Sequence, residues 1–397
     1  MEEKPERLKI MEYEVEKKDF KAIFSSNIFG PIIKFIEKTK IYKIFSRVPK
    51  IVYYFIGRGF SWEFFGEYKK EMVKTTRKIM GKLVNRKYRE KTVEERDWVI
   101  SEIVYQNTVY MTELFLEIIT LLPYFCHVRD IDRFFKIKGL DYLDNALKKE
   151  RGVILISGHI GNYLFMCCYL ALKGYKINFI LEYRSFRGIL KLLKNCGIKL
   201  IPVPRIENNK IRNKIKKIID KALDNNEIVV IMQDAGLRHY MLIDFFGEPC
   251  HTATGAISLA LKHGSPIIPI FIRSQAKKHE HEISIYPEFK IERENIKNDK
   301  EIIYYNTYRL NKILEEKIRR NIIYWNNLAI YHIRKSFKKK NLFKQNSILD
   351  NLINEIQFFK DYLKFSYEVN RDDEKIEEIL DKANFEFRKM KDEQSKS

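Results

Sequence analysis

The chain has 397 residues, 45% of them hydrophobic, which is enough for one large domain with appendages or two ordinary domains and removes any need for covalent staples. Lysine and arginine outnumber aspartate and glutamate by 74 to 53, a net charge of +21, so an anionic partner is favoured: nucleic acid, a phospholipid surface or an acidic carrier protein. The five cysteines, Cys126, Cys167, Cys168, Cys196 and Cys250, are odd in number, fall in apolar runs and lack CxxC spacing, which argues against a disulfide framework or a zinc site and for a reducing compartment.

Residues 1–25 form a charged segment unlike a signal peptide, and no run of about 20 apolar residues is evident after it, so no spanning helix is expected. Residues 26–145 read as a helical, basic region. The stretch "NIFGPIIKFIEKTKIYKIFSRVPKIVYYFIGRGF" over 27–60 sets short apolar clusters between cations at helical spacing, with a basic face. Cations interleaved with aromatics suit a membrane interface, although an AT-rich genome would enrich the same residue types. Thr92-Val93-Glu94-Glu95 is a capping box that opens a helix expected to stop near Pro123.

From Gly152 onward short β-branched runs alternate with helix-length segments: "GVILIS", "KINFILEY", "IKLIPV", "EIVVIMQD", "SPIIPIFIRS" and "EISIYPEF". Helices are expected over 161–173, 187–196, 207–225, 252–264 and 300–335. The fold class is therefore α/β over 146–338, a mixed, largely parallel sheet flanked by helices, with a helical extension over 339–397.

Ligands of open α/β sheets bind beyond the carboxyl ends of strands, and His159 follows such an end in "SGHIGNYL". Gly161 and Asn162 are suited to turning the chain and capping the next helix. A neutral imidazole can take a proton from an alcohol when its second nitrogen is held by an acceptor, and none lies nearby in sequence; a hydrogen-bonded turn residue is the alternative. Asp234 ends "EIVVIMQD" and reaches the same sheet edge if the two strands are parallel; a helix cap or an ion pair with Arg238 is its alternative. Downstream, Phe245 and Phe246 are candidates to line an acyl channel, Thr252 and Thr254 to cap a helix whose N-terminus receives an anionic oxygen, and Arg273 to balance an oxyanion, while each is equally at home in a core, cap or strand end. His239, His251, His263 and Cys250 lack metal-ligand spacing.

Four blocks, "RGVILISGHIGNYL", "MQDAG", "FFGEPCHTATG" and "GSPIIPIFIR", taken in this order and at these separations, resemble the bacterial lipid A biosynthesis acyltransferase family, within the lysophospholipid acyltransferase superfamily. The resemblance covers roughly residues 30–335 and is strongest over 150–275. It implies transfer of a fatty acyl chain from a thioester of acyl carrier protein or coenzyme A to a hydroxyl of a membrane glycolipid or phospholipid, with His159 as general base and no prosthetic group. It also implies a peripheral protein at the cytoplasmic face of the cell membrane. Members usually carry Glu or Asp five residues after the histidine, where this chain has Leu164. Asp234 then becomes the orienting carboxylate, with Glu182 in "FILEYR" as a second candidate. The closing segment "RNIIYWNNLAIYHIRKSF" keeps the family's Trp and His-Arg only loosely, in Trp325, His332 and Arg334. The replacement at Leu164 also fits a silent relative that binds lipid or protein, and the charge alone fits a nucleic-acid binder.

Overall fold

The computed structural model describes residues 26–65, 69–81, 86–128, 131–182, 189–203, 209–235, 240–274, 279–294, 296, 298–328 and 379. The charged segment 1–25, nearly all of the extension 339–397, His239, His332 and Arg334 lie outside them.

The N-terminal helices are α1 (Ser26–Thr39), α2 (Tyr42–Phe45), α3 (Lys50–Phe65), α4 (Lys69–Gly81), α5 (Arg86–Arg89) and the long α6 (Val93–Val128). The capping box forms as its spacing requires: Thr92 Oγ1 accepts from Glu95 N–H at 3.2 Å, and Glu95 Oε2 accepts from Thr92 N–H at 2.7 Å. Helix α6 does not stop at Pro123 but runs five residues further, with Pro123 buried inside it. Protein packing on that turn outweighs the one hydrogen bond that proline removes. By length and composition α6 is apolar enough to cross a membrane, contrary to expectation, but 83% of its most apolar window is buried inside the protein, the position of a central core helix.

Beyond it come β1 (Phe135–Lys138), α7 (Leu140–Leu147), β2 (Val153–Ser157), α8 (Tyr163–Leu172), β3 (Ile177–Glu182), α9 (Leu190–Asn195), β4 (Lys199–Val203), α10 (Asn209–Asp224), β5 (Ile228–Met232), β6 (Tyr240–Phe245), β7 (Glu248–Ala253), α11 (Gly255–His263), β8 (Ile267–Ser274), β9 (His281–Ile285) and α12 (Asp299–Arg320). Seven strands make one mixed sheet in the order β1-β9-β8-β2-β5-β3-β4, in which every pairing is parallel except β8 with β9. Strands β2 and β5 are buried at every residue, which is why both read as unbroken β-branched runs. Strand β1, in the segment expected to be helical, pairs with β9 far along the chain. A four-residue strand carries too little local pattern to be distinguished from a helix end.

Three further expectations are corrected. The "DFFGEPCHTATG" segment is a hairpin of β6 and β7, turned at Phe246 and Gly247, both with positive φ, the signature of a tight two-residue turn. The last helix of the core ends at Arg320 and not near 335, and Ile322–Tyr324 continues as a single 3-10 turn. Cys126, at the end of α6, and Cys196, just after α9, form a disulfide with Cα atoms 4.9 Å apart. Seventy residues separate them in sequence, so spacing rules for local cysteine pairs do not see it.

Candidate active site

Strand β2 ends at Ser157, and the chain then makes two tight bends. Ile160 N–H reaches Gly158 O at 2.7 Å, and Gly161 takes φ +64° so closely against β8 that an added Cβ would lie 2.3 Å from Ile272 O. Only glycine fits there. The bends present His159 at the carboxyl edge of the sheet, its side chain 19% exposed.

The neighbouring parallel strand β5 is in register with β2, Ser157 opposite Met232, and Gln233 N–H continues the ladder to Ser157 O at 2.8 Å. Asp234 follows directly and is fully buried. Its Oδ1 lies 2.7 Å from His159 Nδ1, and both its oxygens accept from the His159 backbone N–H at 3.0 and 3.1 Å. The carboxylate thus fixes ring and backbone together. With Nδ1–H committed to Asp234, the neutral ring carries its lone pair on Nε2, which has no hydrogen-bond partner among the described residues. Glu182 closes β3, which β5 separates from β2; its side chain lies outside the described residues.

Sequence reasoning missed the rest of the shell as site residues. Trp325 is fully buried and donates its indole N–H to Asp234 Oδ2 at 2.8 Å. The Asn327 amide reaches the same oxygen at 3.0 Å and lies 3.1 Å from His159 Nδ1. Asn326 N–H donates to His159 O at 2.8 Å, and Gly161 N–H to Tyr324 O at 2.9 Å, so residues 324–327 strap the histidine turn in place. The strap is held from behind by Asn107 of α6, whose amide donates to Ile323 O at 2.7 Å and Trp325 O at 3.1 Å. The Tyr163 ring stands edge-on to His159 at 4.9 Å. Burial, with the Asp234 charge behind it, pushes the Tyr163 phenol far above its ordinary range and keeps it protonated. The "YWNN" run, one indole and two amides after a helix, was the available signal.

Other candidates take different places. Asn162 occupies the cap position of α8, but its side chain makes no capping bond, and its amide is buried without a partner among the described residues. Leu164 is buried in the apolar face of the same helix. Phe245 and Phe246 are fully buried, ring against ring, with Phe246 also against Trp325; they are packed core beneath the site. Thr252 caps no helix: it lies in β7, donates to Cys250 O at 3.2 Å and accepts from the Asn311 amide at 3.3 Å. Thr254 occupies the cap position of α11 with no capping bond from its hydroxyl. Arg273 sits 3.9 Å from Glu282 across the β8–β9 pair, in a pocket with Lys317 and Tyr286 that shares Ile160 with the histidine turn. Strand alternation and the β9 partner, invisible in the local sequence, set that direction. His263 is bonded to Asp220 and Asp224, and among the described residues no cluster of His, Cys, Asp and Glu is set to hold a metal.

Fold and site together define a class: an α/β protein with a buried carboxylate orienting a histidine at the carboxyl edge of parallel strands, an arrangement able to accept a proton from a bound hydroxyl. Comparison with known families supplies the particular one. Residues 40–339, 300 of the 397, match the family described as bacterial lipid A biosynthesis acyltransferase, and the chain belongs to that family. It is 27% identical over 146 residues to the phosphatidylinositol mannoside acyltransferase of two Mycobacterium tuberculosis strains, H37Rv and CDC 1551. That match spans 36% of this chain and 44% of each relative. The crystal structure of the 1-acyl-sn-glycerophosphate acyltransferase PlsC from Thermotoga maritima aligns over 70% of this chain and 97% of that one, at 15% identity and a TM-score of 0.28.

Proposed function

We propose that the protein is an O-acyltransferase that moves a fatty acyl chain from a thioester to a hydroxyl of a glycolipid or lysophospholipid. The observation that carries this reading is the 2.7 Å contact from His159 Nδ1 to buried Asp234, which leaves Nε2 as the acceptor for a substrate proton. The acceptor O–H gives its proton to Nε2 as the oxygen attacks the thioester carbonyl; the tetrahedral intermediate then collapses, the C–S bond breaks, and the imidazolium returns the proton to the departing thiolate. Ester and free thiol are the products, and no prosthetic group enters the balance.

Asp234 stabilises the imidazolium, and Trp325 and Asn327 hold Asp234. Arg273 is drawn toward Glu282, so the tetrahedral oxyanion is assigned to the Tyr163 and Leu164 amides that open α8, since the next two amides donate to the Asn162 carbonyl and the Asn162 side chain makes no capping bond. Acyl carrier protein or coenzyme A serves as donor, and an enzyme that draws such a donor from the cytoplasm and its acceptor from the membrane works at the cytoplasmic face. The net charge of +21 complements both anionic lipid and an acidic carrier.

The test is incubation of purified protein with radiolabelled acyl carrier protein or acyl coenzyme A thioester and total membrane lipid. Label should enter lipid with the wild type and fall sharply with His159→Ala. Wild type that binds lipid but transfers nothing from either donor would instead fit the silent relative.

A further inference from the structure

Beyond residue 128 only two large apolar side chains among the described residues are exposed, Ile211 and Ile218, and both lie on α10. The helix packs on β4 and β5 and turns Ile215, Ile219, Ala222 and Leu223 inward, at i, i+4, i+7 and i+8. That stripe completes its core face. Ile211 and Ile218 belong to another stripe, seven residues apart, with Lys214 and Lys221 at i+3 and i+10 and Lys217 beside them, all exposed. Single apolar residues on a surface need no explanation, but two in register with three cations form a pattern.

The acids of α10 stand apart from that stripe. Asp220 is bonded to Lys262 and His263 of α11 at 2.6 and 2.8 Å, and Asp224 to His263 at 3.0 Å. They occupy the flank that meets α11, so the flank from Ile211 to Lys221 carries only cations and isoleucines among its described side chains. Strands β4 and β5 run in the same direction as β2, so the helix that joins them runs the opposite way. The end of α10 that carries Ile211 and Lys214 therefore lies at the carboxyl edge of the sheet, where His159 emerges. Strand β4 stands three strands from β2, about 14 Å at the usual spacing.

We propose that this face of α10 docks an acyl carrier protein, a small acidic domain that presents its thioester on a long flexible arm. Carboxylates of one carrier helix meet Lys214, Lys217 and Lys221, and apolar side chains of the same helix cover Ile211 and Ile218. Charge complementarity steers the encounter and sets the register, and the isoleucines hold the contact once it is made. The inference rests on the acyltransferase reading and selects, of its two donors, the protein one. Coenzyme A is a compact ligand, whereas Ile211 to Lys221 spans ten residues, about 15 Å of helix. A bilayer would need more apolar area than two isoleucines exposed at 41% and 40%. A nucleic-acid backbone would use the cations but not the isoleucines between them.

Fluorescence anisotropy of dye-labelled bacterial acyl carrier protein with the full chain tests the face without any lipid acceptor, so its outcome is independent of transfer. The wild type should bind, and bind more weakly at high salt. The double variant Lys214→Glu/Lys221→Glu, altered only at exposed positions, should keep its melting temperature and lose at least about tenfold in affinity. Lys148→Glu/Lys300→Glu makes the same change of net charge at exposed positions elsewhere and should lose less than about threefold. In the transfer assay the α10 variant should raise KM for the carrier-protein thioester and leave KM for acyl coenzyme A unchanged. No binding by the wild type at low salt, equal losses in the two variants, or equal KM shifts for the two donors would overturn the proposal. So would an α10 variant that keeps the carrier but loses anionic vesicles or single-stranded RNA, because the face would then belong to one of those.

Discussion

Replacing Asp234 by asparagine isolates the contribution of one buried charge. The carboxylate accepts from the His159 ring, the His159 backbone N–H, the Trp325 indole and the Asn327 amide, all between 2.7 and 3.1 Å. Asparagine fills the same volume but presents an NH₂ where an acceptor stood, so at least one of those donors faces another donor. Hydrogen bonds to a charged group contribute about 1.5–3 kcal/mol each. Losing both the Nδ1 contact and the charge that stabilises the imidazolium should raise the barrier by about 3–5 kcal/mol, or about 10²–10⁴ in rate. Because Asp234 is fully buried behind His159, KM for the acceptor should change little and the loss should fall on kcat. Trp325→Phe removes one donor and leaves the charge, so about tenfold is expected. The assay is initial-rate acyl transfer for all three proteins, with circular dichroism and thermal melting to establish folding. A folded Asp234→Asn variant within about threefold of wild-type kcat/KM would refute the assignment of the base and its orienting carboxylate.

Restoring an acid at the family's usual position should harm this chain: Leu164 is 1% exposed among apolar neighbours, so Leu164→Glu should cost about 2–5 kcal/mol of stability and raise no activity, read by denaturant titration beside the transfer assay. The junction between α3, α6 and β9 should be acid-sensitive. Burial first, then Lys50 and His279, hold His281 at about 4; burial opposes ionisation of Glu117, but Lys50, His281 and His279 overcome it and hold that carboxyl at about 2. Both values lie below those of the unfolded chain, so their stabilisation is complete above about pH 6.5 and is lost as pH falls, first through His281 and then, below about 4.5, through Glu117. The melting temperature should therefore drop between pH 7 and pH 4, and drop less in His281→Gln; identical pH profiles for the two proteins would contradict it.

Much of the α/β core was legible because its signals are local. A buried central strand must be β-branched throughout, as "VILIS" and "IVVIM" are, and a capping box works within four residues, as at Thr92. His159 could be singled out for the same reason, since a strand end, a glycine turn and a helix start are all read from a dozen consecutive residues. The β6–β7 hairpin was not legible: its turn has Phe246 at positive φ, where that residue type is uncommon, and a backbone bond from its N–H to Glu315 at 2.9 Å supports it from another helix.

The sequence by itself determined the six strands β2, β3, β4, β5, β8 and β9, most helices, the cationic balance and the histidine at the strand end, because each depends on neighbours along the chain. Strand order and the family resemblance put Asp234 ahead of Glu182 in the sequence, and the tertiary structure supplies the contact itself. Placing β5 beside β2 in parallel register carries Asp234 across 75 residues to His159, while β3 and its Glu182 stand one strand further away. The tertiary structure also decided that Trp325, Asn327 and Asn107 support the pair and that Arg273 turns toward Glu282. Register and packing between distant segments fix these directions, and the hydrophobic pattern of any one segment is compatible with several of them.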